Sequence, residues 1–227
     1  MEIYRTYLEQ IAHAELCDEL VGRIMQDVRS AHPEEQIQFL RELARQRFTE
    51  TFDFTEMPRE RFSLPEDVRN TVLNWLQDPR RDLKKEIYLP QQYVLSVLIT
   101  RCNNVLALNL TSKEEDIAGF EWNINTVTSY QRMVKSGCNM RRRGIARALF
   151  SLGEDILSRN KVSTLCAKVR GNESIRWLIG QGYIPSSAID MEEVLLTLLN
   201  RDASLPLDDI FMVKSILSAD GTSLQSI

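Results

Sequence analysis

Two hydrophobic rhythms divide the chain, and the change falls near Glu86. Before it, apolar residues recur at helical spacing. Leu20, Ile24 and Val28 share one face, with Val21 and Met25 beside it, and the spacing predicts a helix over Ile3 to Val28. Gly22 is a weak point within it. His32-Pro33-Glu34-Glu35 is a start signal, with proline at the first helical position and acids in the first turn. Ile37, Leu40, Ala44 and Phe48 then carry the next helix. Thr51 to Phe62 reads as a connector. Ser63-Leu64-Pro65-Glu66 has the layout of a capping box, followed by Val68, Val72, Trp75 and Leu76 on one side and a stop at Asp78-Pro79. Arg80 to Glu86 is strongly charged and reads as a linker or exposed turn.

After Glu86 the runs are short and rich in valine, isoleucine, leucine and aromatics. Tyr93 to Thr100, Val105 to Leu110 and Ile117 to Ile124 read as antiparallel strands, with Cys102-Asn103-Asn104 and Lys113 to Asp116 as breaks. Thr126 to Val134 is a further strand. A helix with apolar residues at Ile145, Leu149, Leu152 and Ile156 follows, then a strand over Lys161 to Val169. Met191 to Asn200 favours helix, Ile210 to Lys214 reads as a last strand, and the residues after Ser218 as a frayed tail.

Composition narrows the function. Of 227 residues, 43% are hydrophobic and 26% charged, which suits one large folded domain or a domain with a smaller appendage. The net charge of −4 argues against a broad nucleic-acid surface. No apolar run has the length of a membrane helix, and Met1-Glu2-Ile3-Tyr4-Arg5 lacks a signal-peptide layout, so a cytoplasmic protein is expected. Cys17, Cys102, Cys138 and Cys166 are far apart, and His13 and His32 are the only histidines. That set offers neither a zinc framework nor a histidine-dependent triad in the strand-rich part, and no metal is expected. Cys138 is either a reactive thiol or an inert loop cysteine.

The stretch Asn139-Met140-Arg141-Arg142-Arg143-Gly144-Ile145-Ala146-Arg147 carries the candidate chemistry. It turns from basic loop into helix, with almost no side chain at Gly144 and Ala146. A helix start has unpaired N–H groups and partial positive charge, so an anion can approach there. Arg141-x-x-Gly144-x-Ala146 before an amphipathic helix resembles the acyl-CoA-binding signature of the GCN5-related N-acetyltransferase (GNAT) superfamily. Asn172, Ser174 and Gly182-Tyr183-Ile184 resemble its second motif, and Ile210 to Lys214 its closing strand. The resemblance covers about Ile87 to Leu217.

It implies an α/β GNAT-like fold, a central mixed and mostly antiparallel sheet flanked by helices, over residues 84–217. A helical N-terminal region (1–83) precedes it and a flexible tail (218–227) follows. It implies an acyltransferase, an N-acetyltransferase moving an acetyl group from acetyl-CoA (or another acyl-CoA) to an amine of a protein or small molecule. Pyrophosphate would lie on the backbone from Arg141 to Ala146, including Arg142, Arg143, Gly144 and Ile145. Met133 and Val134 would flank the pantetheine arm, on a strand that parts from its neighbour in the family. Asn172 would sit near the cofactor's far side.

Departures support an alternative. The family's general-acid tyrosine falls on Leu178 or Ile179, neither of which can donate a proton. The strand Thr126 to Val134 has no carboxylate. Glu121 is the nearest strand carboxylate, either a general base or an outward-facing residue, and Tyr130 is an acid or base candidate. The alternative is a catalytically degenerate binding or regulatory module working through protein contacts, and the N-terminal helices are the place for a protein partner. Trp122 and Trp177 read as packing residues.

Overall fold

The computed structural model describes residues 2–13, 17–51, 62–75, 82–100, 102–112, 115–124, 128–136, 144–169, 171–199 and 209–216. The chain groups into two compact units, one of residues 1–55 and 168–214, the other of residues 56–167 and 215–227.

The second unit is built on a meander. Strands β1 (Leu83–Leu89), β2 (Tyr93–Thr100), β3 (Val105–Ser112), β4 (Glu115–Ile124) and β5 (Thr128–Ser136) pair antiparallel in chain order. Helix α5 (Ile145–Arg159) leads to β6 (Thr164–Val169), which runs parallel to β5. The result is a mixed, mostly antiparallel sheet with helical cover, as the sequence predicts.

One register explains the core. Leu95, Leu110 and Ala118 align across β2, β3 and β4, as do Val97, Leu108 and Phe120, and Ile99, Leu106 and Trp122. All nine are buried. Phe120 and Trp122 stack on each other at 5.5 Å and both meet Phe150 of α5, so this face carries the helix. Burying each such side chain contributes roughly 1.5–3 kcal/mol. Gly153 of α5 lies directly over the Trp122 ring, where an added Cβ would stand 2.3 Å from the indole. Helix α4 (Glu66–Trp75) is tied to α5 by Arg69, whose Nε donates to Asp155 at 2.6 Å and whose Nη2 donates to Ser151 at 3.2 Å.

The first unit is mainly helical, with α1 (Glu2–His13), α2 (Asp18–Ser30), α3 (Pro33–Thr51), α6 (Asn172–Gly180) and α7 (Ala188–Leu199). A short β7 (Ile184–Pro185) pairs antiparallel with β8 (Ile210–Ser215). Leu20, Ile24 and Val28 are buried as their spacing predicts, together with Phe39, Leu40 and Leu43 of α3 and Val194, Leu195 and Leu198 of α7. Tyr4 stacks on Phe39 at 5.0 Å, and an Arg29–Glu192 ion pair joins α2 to α7. Asp190 fixes the start of α7. Its carboxylate accepts from the Ser186 and Ser187 hydroxyls at 2.7 and 2.6 Å and from the Phe211 N–H at 2.9 Å, which fastens the helix to β8.

Three local expectations change. The helix expected over Ile3 to Val28 is two helices: α2 starts afresh at Asp18, with Asp18 and Glu19 favouring a helix N-terminus. Ser63 does not cap α4, because Pro65 stands before the first helical residue, Glu66, and its carbonyl accepts from Arg69 N–H at 3.0 Å. Part of the charged Arg80 to Glu86 segment is strand β1. As the first strand of the meander, β1 keeps Lys84, Lys85 and Glu86 exposed while its backbone pairs with β2. Lys85 Nζ lies 4.6 Å from the centre of a Trp75 ring.

Candidate functional site

The candidate site lies where β5 hands over to α5. Gly144 is the N-cap of α5 with φ 81° and ψ 1°, a left-handed conformation that L side chains resist. Its carbonyl accepts from Ala148 N–H at 3.0 Å, starting the helix. A Cβ at Gly144 would stand 3.4 Å from the Phe62 carbonyl oxygen. Ile145 is buried and anchors the turn, while Ala146 is half-buried. The N–H groups of a first helical turn have no intrahelical acceptors, so they can meet an anion. Arg141, Arg142 and Arg143 lie outside the described residues, as does Cys138.

Strand β5 changes register on the way to this turn. Gln131 pairs with Trp122 and Met133 with Glu121, so Arg132 is an extra residue in a β-bulge. Val134 pairs with Phe120. Parallel pairing with β6 covers Thr128 to Gln131, opposite Thr164 to Ala167. From Met133 to Ser136 the strand is held on its β4 side. Cys166 of β6 pairs with Tyr130 and is half-buried, and burial pushes its thiol pKa up. Such a thiol is a poor nucleophile at neutral pH.

Glu121 is half-buried on β4. Its neighbours Phe120 and Trp122 face α5, so strand alternation puts Glu121 on the opposite face. Tyr130 pairs with Asn123, two positions from Glu121 on β4. The register therefore brings both candidate catalytic positions to one part of the sheet, beside the bulge. Trp122 is fully buried, the packing role its sequence context predicts.

The second motif is placed in the first unit. Asn172 opens α6 after Gly171, at φ 100°. Its side-chain oxygen accepts from Arg176 Nε at 2.7 Å, and its Nδ2 donates to the Thr197 carbonyl at 3.3 Å, linking α6 to α7. Leu178 and Ile179, where a tyrosine is expected, are 1% and 4% exposed. Tyr183 is buried, with its N–H on the Leu178 carbonyl at 3.0 Å. Among the described residues no group of three or more His, Cys, Asp or Glu is placed to hold a metal, and no helix is long and apolar enough to cross a membrane.

Sequence reasoning passed over Asn109. It pairs with Gly119 of β4, and a Cβ at Gly119 would come within 2.4 Å of Asn109 Oδ1. A glycine inside a strand is the sign of such close approach.

No family model matches this sequence, and no curated protein matches it. Among solved structures, an acetyltransferase from Streptococcus agalactiae 2603 is similar at 15% identity, covering 52% of this chain and 71% of its own, with a TM-score of 0.40. The ribosomal-protein-S18-alanine N-acetyltransferase from Escherichia coli is similar at 16% identity, covering 70% and 94%, with a TM-score of 0.39. The PaiA N-acetyltransferase from Thermoplasma acidophilum, solved with coenzyme A, is similar at 12% identity, covering 50% and 62%, with a TM-score of 0.37. At these values the likeness is one of general chain course, and the activities of those proteins are their own.

Proposed function

We propose that the chain is an acyltransferase that binds acyl-CoA, acetyl-CoA foremost, and moves the acyl group to an amine. The observation that carries this reading is the path of β5. Its pairing with β6 is placed at Thr128 to Gln131, the bulge follows at Arg132, and the strand then leads toward left-handed Gly144 at the start of α5. Pyrophosphate sits on the first-turn N–H groups of Ile145 and Ala146, where Gly144 gives clearance and Arg141 to Arg143 add charge. Met133 and Val134 meet the pantetheine arm through the backbone edge turned away from β4. Asn172 braces α6 against α7 within its own unit.

The amine nitrogen attacks the thioester carbonyl, a C–N bond forms, and the C–S bond breaks. Glu121 takes the ammonium proton, directly or through water, and the CoA sulfur recovers a proton from Tyr130 or water. Most of the acceleration comes from holding the thioester and amine together. Residues 84–217 form the catalytic domain in this reading. The helical region 1–83 offers a surface to a protein partner, 218–227 is a tail, and the protein works in the cytoplasm.

The burial of Leu178 and Ile179 at the expected tyrosine position favours a second reading, a module that binds CoA without chemistry. Calorimetric titration with acetyl-CoA and CoA separates the cases. Wild type is expected to bind at micromolar Kd, and Gly144→Glu to lose at least tenfold in affinity while keeping its circular dichroism. A folded wild type that binds neither ligand overturns the proposal. Binding without release of free thiol across a panel of amines selects the second reading.

A further inference from the structure

We infer that Phe62 is a positioning residue for the phosphate-binding turn, and that helix α4 sets the affinity of that turn through it. This rests on the acyl-CoA reading of Gly144 and the start of α5, and concerns how that site is held ready. Glycine takes left-handed and right-handed backbone conformations about equally well. Its presence at 144 therefore allows φ 81° but does not select it. Other contacts must hold the turn so that the N–H groups of Ile145 and Ala146 stay open to an anion. Ile145 is buried and fixes the helix side of the turn. The Gly144 side needs a hold of its own.

Phe62 supplies it. Its carbonyl oxygen packs 3.4 Å from where a Gly144 Cβ would be, and among the described residues no other atom outside the turn's chain neighbours comes within 4 Å of that place. Phe62 is itself pinned. Its half-buried ring meets Tyr93 edge-on, with centres 5.7 Å apart and planes at 90°. Tyr93 is buried at the start of β2, in register with Leu89 of β1 and Ser112 of β3. Onward from Phe62, the Pro65 carbonyl accepts from Arg69 N–H at 3.0 Å as α4 begins, and the Arg69 side chain reaches Asp155 and Ser151 of α5. The run from Phe62 to Arg69 thus meets α5 at its N-cap and again near its middle. Docking of α4 on α5 and ordering of the turn are one event in this arrangement. A turn ordered in advance binds more tightly than one its ligand must order. By linkage, a ligand on the turn strengthens α4 docking by the same factor. A partner that draws α4 off α5 would lower cofactor affinity without touching the cofactor.

The test uses the full chain, with coenzyme A titration and amide hydrogen exchange as its two readouts. Phe62→Ala is expected to bind coenzyme A about five- to tenfold more weakly, the low end for coupled sites. Phe62→Tyr keeps the ring and should restore the affinity. The Ala148 N–H, which donates to the Gly144 carbonyl at 3.0 Å, should exchange faster in Phe62→Ala. The Val162 N–H, on the Leu157 carbonyl at the far end of α5, should keep its rate. In wild type, saturating coenzyme A should slow exchange of the Arg69 N–H. If Phe62→Ala does not fold, Phe62→Leu takes its place, keeping bulk without the ring edge. A wild type that binds no coenzyme A sinks the acyltransferase reading, and the Ala148 amide still decides whether Phe62 holds the turn. Equal coenzyme A affinity in wild type and Phe62→Ala overturns the inference. So does an Ala148 amide indifferent to the substitution, or an Arg69 amide indifferent to bound coenzyme A.

Discussion

Replacing Gly153 by alanine sets two known effects against each other. In an open helix the change stabilises by about 0.8–1 kcal/mol, because glycine is a poor helix former. In α5 the new methyl would stand 2.3, 2.8 and 2.9 Å from three carbons of the Trp122 ring. Carbon atoms prefer separations of about 3.5–4.0 Å. The indole cannot retreat easily, being fully buried, stacked on Phe120 and packed at a tilt against Phe150. Overpacking of this kind costs typically about 1–3 kcal/mol, and this contact is severe enough to place it at the upper end. The net expectation is a loss of about 2 kcal/mol, or a fall in Tm of about 4–8 °C for a chain of this size. Gly22→Ala is the matched control. It lies within α2 with nothing within 4 Å of its added Cβ, and should gain about 0.5–1 kcal/mol. Thermal and urea unfolding of both variants, with Trp122→Phe alone and combined with Gly153→Ala, measures the effect and its coupling. A Gly153→Ala protein as stable as wild type, or additive effects in the double variant, would refute the packing argument.

Asp190 predicts a pH dependence. Burial pushes its carboxyl pKa up, but hydrogen bonds from Ser187, Phe211 N–H and Ser186 outweigh it and leave the pKa below its ordinary value. A lowered folded-state pKa adds stability above the unfolded pKa of about 3.9, and loses it as pH falls through the folded value. Asp190→Ala should therefore cost about 2–3 kcal/mol at pH 7, with a gap to wild type that narrows below about pH 4. A gap that stays constant from pH 7 to pH 3 in chemical denaturation contradicts the assignment. Arg69→Ala should cost about 1 kcal/mol, because its links to Asp155 and Ser151 are about one-third exposed. The ionic share should shrink between low salt and 1 M salt, and equal losses at both salts would assign the effect to packing of the arginine stem instead.

The strands were legible where one face is buried. Tyr93 to Thr100 is β2 to the residue, because alternate buried positions at Tyr93, Leu95, Val97 and Ile99 write the pleat into the sequence. Strand β1 was hidden because an edge strand of this kind has little to bury: Lys84, Lys85 and Glu86 look like a turn and are held by backbone pairing. The break between α1 and α2 was missed because apolar spacing continues across it, and only the acids at Asp18 and Glu19 mark the new start. At the candidate site, Gly144 was legible as a turn glycine, and its positive φ supplies the reason. The hydrogen bonds of Asn172 were not legible, since Arg176 lies one turn away but Thr197 is 25 residues on. Asn109 could not be singled out without the register that sets it opposite Gly119.

The bulge at Arg132 gives β5 two reading frames. In a regular strand even- and odd-numbered residues keep to opposite faces throughout. Here Tyr130 is registered with Asn123, and Met133, an odd number, with Glu121, on the same face of β4. One inserted residue thus acts on the pattern of faces as a frameshift acts on codons. Every position downstream is reassigned, while the upstream half keeps its meaning. Removing Arg132 would restore one frame with Met133 to Ser136 still on their β4 partners, whereas removing a residue after Met133 would turn the rest of the strand over. The strand from Met133 to Ser136 is in this sense a single word, which tolerates changes of letter more readily than a change of length.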